Sequence, residues 1–106
     1  MKVIADFCVV PLGMGVSVSK YVVRCQEILA ESALDYHMHA YGTNIEGEWS
    51  EVFAVVKKCH HAVHKMGAPR IVTTMKFGTR TDREQTMQDK IQSVLEKQNV
   101  PQTDTD

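Results

Sequence analysis

The stretch LDYHMHAYGTNIEGEW, residues 34–49, decides how this chain is read. Up to Tyr41 it alternates, with Leu34, Tyr36, Met38 and Ala40 on one face and Asp35, His37, His39 and Tyr41 on the other. A period of two is a strand with one polar face. Gly42 interrupts it, and Thr43 to Glu48 returns as a second, short strand, so the stretch is a hairpin. Helical periodicity flanks it on both sides. Upstream, Val18, Tyr21, Val22, Cys25, Ile28 and Leu29 form an apolar stripe with Lys20, Arg24 and Glu27 outside it. Ser17, or alternatively Ser19, is the expected N-cap, and the helix ends near Ser32. Downstream, Trp49-Ser50-Glu51 opens a helix with Ser50 as its expected cap and Val52, Val55, Val56, Cys59, Val63 and Met66 as its stripe. Gly67 then supplies a C′ stop, and Pro69 bars continuation.

Working outward, Lys2 to Val10 reads as a strand apolar on both faces, expected to be central and covered on both sides. Arg70 to Thr79 alternates as a fourth strand. A last helix is expected from about Arg83 to Lys97, capped by Asp82, with Met87, Ile91, Val94 and Leu95 on one side. Residues 98–106 read as a flexible polar tail. The order β-α-β-β-α-β-α predicts an α+β fold, a ferredoxin-like four-stranded antiparallel sheet plus a C-terminal helix, as a single domain over residues 1–97. Both main helices then cover one sheet face, each crossover being right-handed. The other face stays open and exposes Ile4, Cys8, Val10 and Val72. A patch of that kind marks an interface. The expectation is sheet-to-sheet association, a homodimer at least and a homotetramer by extension. The alternative is that the last helix folds back over the open face.

Composition bounds the function. The chain has 106 residues, 43% apolar and 24% charged, enough for one core without disulfides or metal. With 12 basic against 13 acidic residues its formal charge is −1, which disfavours nucleic acid and anionic membrane surfaces as partners. The longest stretch without a charged residue, Phe7 to Ser19, is broken by Pro11, Gly13 and Gly15, so no membrane span is expected. No signal peptide is read, since Asp6 interrupts the opening apolar run. Cys8, Cys25 and Cys59 are odd in number, match no zinc or redox spacing and sit in apolar patterns. Buried free thiols imply a reducing, cytoplasmic setting.

Signs of chemistry are few. His60 and His64 share a helix face at metal-ligand spacing, but no third ligand accompanies them, and solvated surface histidines are the simpler reading. His37 and His39 share a strand face and could meet an anion, a metal or a subunit. Asp6 lies inside an apolar strand, so it must be paired, with Lys76 as the expected partner, or functional. No nucleophile motif, phosphate loop or dinucleotide fingerprint occurs, so no catalytic residue and no cofactor is assigned. The hairpin is the most informative segment. Thr43, Glu46 and Trp49 offer a hydroxyl, a carboxylate and a large aromatic within a short span, which suits a small ring-containing ligand. Equally, Gly42 and Thr43 could shape the turn while Trp49 staples the helix.

Gly42-Thr43-x-x-Glu46-Gly47-x-Trp49-x-x-Val52 resembles the signature of a family of small thiamine-binding proteins, relatives of the hydroxymethylpyrimidine/thiamine-binding proteins. Two further segments match in order: Ala5-Asp6-x-x-Val9-x-Pro11-Leu12-Gly13 with Val16-Ser17-Val18-Ser19, and Gly78-Thr79-Arg80-Thr81-Asp82-Arg83 with Gln88-Asp89-Lys90. The match spans Lys2 to Lys97 and looks closest to fungal-type members. One departure is Arg83, where lysine is the commoner residue. The resemblance implies a ferredoxin-like fold, a homotetramer, and binding of thiamine or its pyrimidine moiety without catalysis. On that reading Glu46 contacts the aminopyrimidine, Trp49 or Tyr41 stacks on a ring, Thr43 makes one hydrogen bond, and Ser17 and Ser19 close the pocket. Asp6 is held level between structural pairing and a ligand role. Arg80 and Asp82 form an inter-element or inter-subunit salt bridge. Two other classes stand beside this one. The first is an interaction module with a vestigial pocket. The second, and weakest, is a metal-dependent enzyme using His37, His39 and Asp6.

Overall fold

The computed structural model, which describes residues 1–99, runs β1 (Lys2–Pro11), α1 (Ser19–Glu31), β2 (Asp35–His39), β3 (Gly42–Glu48), α2 (Trp49–Lys65), β4 (Ile71–Gly78) and α3 (Met87–Gln98). The strands form one antiparallel sheet in the order β2-β3-β1-β4. Ala5 stands opposite Ile45 and Phe77, and Phe7 opposite Thr43 and Met75. This row, with Val3 and Val9, is buried and meets Tyr21, Cys25, Ile28 and Leu29 of α1 and Val52, Val55, Cys59 and Val63 of α2. Both helices therefore load one face of the sheet.

The alternate row of β1 is not covered among the described residues. Ile4, Asp6 and Cys8 are half-buried, and Val10 is exposed. The expectation that β1 is covered on both sides is thus corrected: its second apolar face looks out from an open sheet surface. Val72, opposite Val10, is 49% exposed on the same surface. The last helix does not close this face. α3 has no buried residue, and Ile91, Val94 and Leu95 remain 45–56% exposed.

The helix ends differ from the expected caps. Val18 occupies the N-cap of α1 without a side-chain bond, so Ser17 lies outside the helix and Ser19 is its first residue. Glu48 precedes α2, placing Ser50 in its first turn rather than at the cap. α3 starts later than Arg83 because Thr86, not Asp82, caps it. Thr86 Oγ1 accepts the Asp89 N–H and the Asp89 carboxylate accepts the Thr86 N–H, each at 3.0 Å. This reciprocal box satisfies two otherwise orphaned donors. The stop after α2 is as expected. Gly67, at φ +106°, donates to His64 O at 3.0 Å and Ala68 to Val63 O at 3.4 Å. That closes a Schellman turn. Gln98 ends α3 and Asn99 is its C-cap. The rest of the expected tail, residues 100–106, lies outside the described residues.

Candidate functional site: the open sheet face

The polar residues of the outward row converge on one surface. Asp6 of β1 stands opposite Asn44 of β3 and Lys76 of β4, and Ile4 stands opposite Glu46. Asp6 and Glu46 are therefore diagonal neighbours on one face, which places their positions roughly 7–8 Å apart. From β2, His37 lies opposite Asn44 and His39 opposite Gly42.

The Asp6 carboxylate is held by His39, not by Lys76. His39 Nε2 lies 2.5 Å from Asp6 Oδ1, although β3 runs between their strands. The link passes over Gly42, where an added Cβ would lie 3.3 Å from Asp6 Oδ1 and 3.4 Å from His39 Cε1. His39 Nδ1 accepts the Tyr41 N–H at 3.3 Å, so the ring proton sits on Nε2 and is donated to Asp6. Lys76 makes no ion pair among the described residues.

Glu46 serves the start of α3. Its Oε2 accepts the Met87 N–H at 3.0 Å, a carboxylate at the positive end of a helix. The other oxygen makes no hydrogen bond among the described residues, so it can accept from a ligand. Two carboxylates, one oriented by an imidazole and one by a helix N-terminus, thus border a surface with apolar Ile4, Cys8 and Val10 beside them. Such a surface can take up an amine or amidine-like donor against a flat apolar body.

The other expected residues lie elsewhere. Thr43 faces the core, 5% exposed, and its Oγ1 accepts Gln26 Nε2 of α1 at 2.9 Å, so it is closed to a ligand on the open face. Trp49 begins α2 next to the Lys2 end of β1 and is packed in an aromatic trio, 4.8 Å from Phe53 and edge-on to Phe77 at 5.2 Å. Tyr41 is 89% exposed in the hairpin turn, and Ser17 and Ser19 are exposed beyond the Pro11 end of β1. The serines and Tyr41 are therefore at the end of the sheet away from Trp49 and do not close a pocket with it. What the sequence reading missed is the His39–Asp6 link and the Phe53 and Phe77 rings around Trp49. The links from His39 to Asp6 and from Trp49 to Phe77 have no local signal, since each joins residues distant in the chain, whereas Phe53 stands one turn from Trp49 on α2, a spacing that helical periodicity exposes.

The remaining candidates are structural. His60 is half-buried against β4, its Nε2 2.5 Å from Thr73 Oγ1, and burial followed by the nearby His64 and His61 charges lowers its pKa. His64 Nδ1 meets Ala68 O at 2.7 Å, at the end of α2. The bond to Thr73 and partial burial replace the solvated reading of His60, whereas His64 is exposed, as that reading has it, with one ring nitrogen on the end of α2. No group of three His, Cys, Asp or Glu side chains among the described residues could hold a metal ion. Cys25 of α1 and Cys59 of α2 are buried free thiols whose mutual interaction lowers the Cys25 thiol and, with burial, raises that of Cys59. Arg80 grips Asp82 through Nε at 2.5 Å and Nη2 at 2.8 Å, a pair local to one turn that holds the Asp82 carboxyl down at about 2.

The model of a family described as thiamine-binding protein matches residues 5–95. A UPF0045 protein of Synechocystis sp. is 67% identical over 94 residues, 89% of this chain and 78% of the relative. A UPF0045 protein of the fungus Eremothecium gossypii is 44% identical over 98 residues, 92% of this chain and 93% of the relative. A crystal structure from Methanocaldococcus jannaschii superposes with a TM-score of 0.83 at 35% identity, covering 90% of this chain and 97% of that one. A Thermotoga maritima structure, described as a candidate thiamine biosynthesis/salvage protein, shares the fold with a TM-score of 0.76 at 21% identity, over 89% of this chain and 99% of that one.

Proposed function

We propose that this chain, which belongs to the thiamine-binding protein family, binds thiamine or its hydroxymethylpyrimidine moiety without catalysing a reaction. The observation that carries this reading is the pair of carboxylates, Asp6 and Glu46, on one open sheet face. An aminopyrimidine offers an exocyclic amine and, when protonated, a ring N–H; a fixed carboxylate accepts both as charge-assisted bonds. Asp6, Glu46 and the apolar floor beside them form the site in this reading. Trp49, Tyr41, Ser17 and Ser19 enter only through a neighbouring copy.

The strand order β2-β3-β1-β4, with α1 and α2 on one face, is read as the ferredoxin-like arrangement. Self-association is part of the proposal. Val10, Val72 and the α3 stripe expose apolar surface that a homodimer or homotetramer would bury. No helix among the described residues is long and apolar enough to cross a membrane. Three free cysteines support a reducing, cytoplasmic setting.

Calorimetric titration with thiamine and with hydroxymethylpyrimidine tests the reading. Wild type should bind at a whole-number ratio per subunit, and Glu46→Gln and Asp6→Asn should each weaken binding about tenfold or more, as expected for a lost charged partner. Absence of heat with either ligand, together with an unchanged Tm at high ligand, would leave an interaction module as the better reading.

A further inference from the structure

A groove of about 680 Å³ lies between α1 and α2, lined by residues of the two helices and their C-caps, with none from the sheet, and is therefore separate from the open sheet face. Its floor is apolar. Ile28 and Val55 are 7% and 5% exposed, and Ala62 follows Val55 by two turns of α2. Its rim is cationic. Lys58, His61 and Lys65 recur at spacings of three and four, so they stand in one row along the groove. Neither lysine has an ion-pair partner among the described residues. Arg24, on the opposite wall, is held by Glu27 at 3.1 Å, and Glu31 is the one acid in the lining. In a chain of net charge −1 this row is a local excess of positive charge.

We propose that the groove binds a small anionic amphiphile, an aryl or alkyl monoester of phosphate or sulfate. The apolar body rests on Ile28, Val55 and Ala62, and the anionic head is held by Lys58 and Lys65 with His61 between them. Three features select this class. The volume falls within the roughly 300–1,000 Å³ of small-molecule sites. The floor removes apolar surface from water, which a bare ion cannot exploit. The lysines supply charge-assisted donors that a neutral hydrocarbon cannot use.

The test is a titration of the full chain with 1-naphthyl phosphate, followed by backbone amide shifts. Saturable shifts confined to the groove walls around Ile28, Val55 and Ala62 are expected, and saturating thiamine should leave them in place. Lys58→Glu with Lys65→Glu should weaken binding at least about tenfold, and the matching pair of arginine substitutions should keep it within about threefold. If the charge-reversed chain unfolds, the pair Lys58→Gln and Lys65→Gln takes its place, with a loss of about fivefold expected. The proposal fails if inorganic phosphate or neutral 1-naphthalenemethanol binds as well as the ester. It also fails if the shifts map to the sheet or α3, if they rise linearly without saturation, or if only anionic vesicles and not the soluble ester engage the groove.

Discussion

His39 donates its Nε2 proton to Asp6 at 2.5 Å across the whole width of an intervening strand. Only a residue without a side chain leaves room for that reach. A Cβ on Gly42 would also lie 2.8 Å from the backbone oxygen of Phe7, in the central strand, which cannot swing aside. Gly42→Ala is therefore expected to destabilise the chain by about 1–3 kcal/mol through overpacking and to part His39 from Asp6. Urea unfolding should show a lower midpoint at constant m. An unchanged midpoint would mean that β1 and β3 separate without penalty.

Tyr21 presents the opposite sign. Its ring is 1% exposed, yet its hydroxyl has no hydrogen-bond partner among the described residues. A buried donor without a partner is a net loss relative to water. Tyr21→Phe should raise stability by about 1 kcal/mol, read as a higher urea midpoint. A drop would reveal that a bound water satisfies the phenol.

His60 sets an acid limit. Burial against Thr73, with the neighbouring His64 and His61 charges, holds it below its ordinary value of 6.5. Below pH 6.5 the unfolded chain takes up a proton that the folded chain resists. Stability is therefore full above 6.5 and is lost as pH falls from there through the lower folded value. Midpoints measured between pH 8 and 5 should show this slope, and His60→Gln should flatten it. An identical slope in the variant would assign it to other groups.

The stripe on α3 separates assembly from folding. Ile91, Val94 and Leu95 are 45–56% exposed, so replacing all three by serine should leave the fold of the sheet and the other helices unchanged by circular dichroism. The same change should lower the sedimentation coefficient if the stripe is buried between copies. A wild type that sediments as a monomer would remove self-association from the proposed function.

Local pattern alone located each strand and helix of the described residues, though not the start of α3. The period-two rows of Val3 to Val9 and Tyr36 to Met38, the helical stripes from Tyr21 and Val52, and the stop at Gly67 follow from backbone geometry within a few residues. The three motifs likewise carried the family. Cap choice was less legible, because several oxygen-bearing residues precede each helix and tertiary contacts select among them. Asp82, for instance, goes to Arg80, leaving Thr86 to start α3.

The site itself was decided by tertiary structure. Strand alternation can say that Asp6 and Glu46 point away from buried neighbours, but not that they share a surface with His39. That depends on which strands lie side by side and in what register, a matter of long-range pairing. The same pairing turns Thr43 inward to Gln26 and sets Trp49 at the far end of the sheet from Ser17. Residues close in the hairpin sequence are thereby sent to opposite faces, since each step along a strand reverses the side chain, while residues more than thirty positions apart are brought within one hydrogen bond.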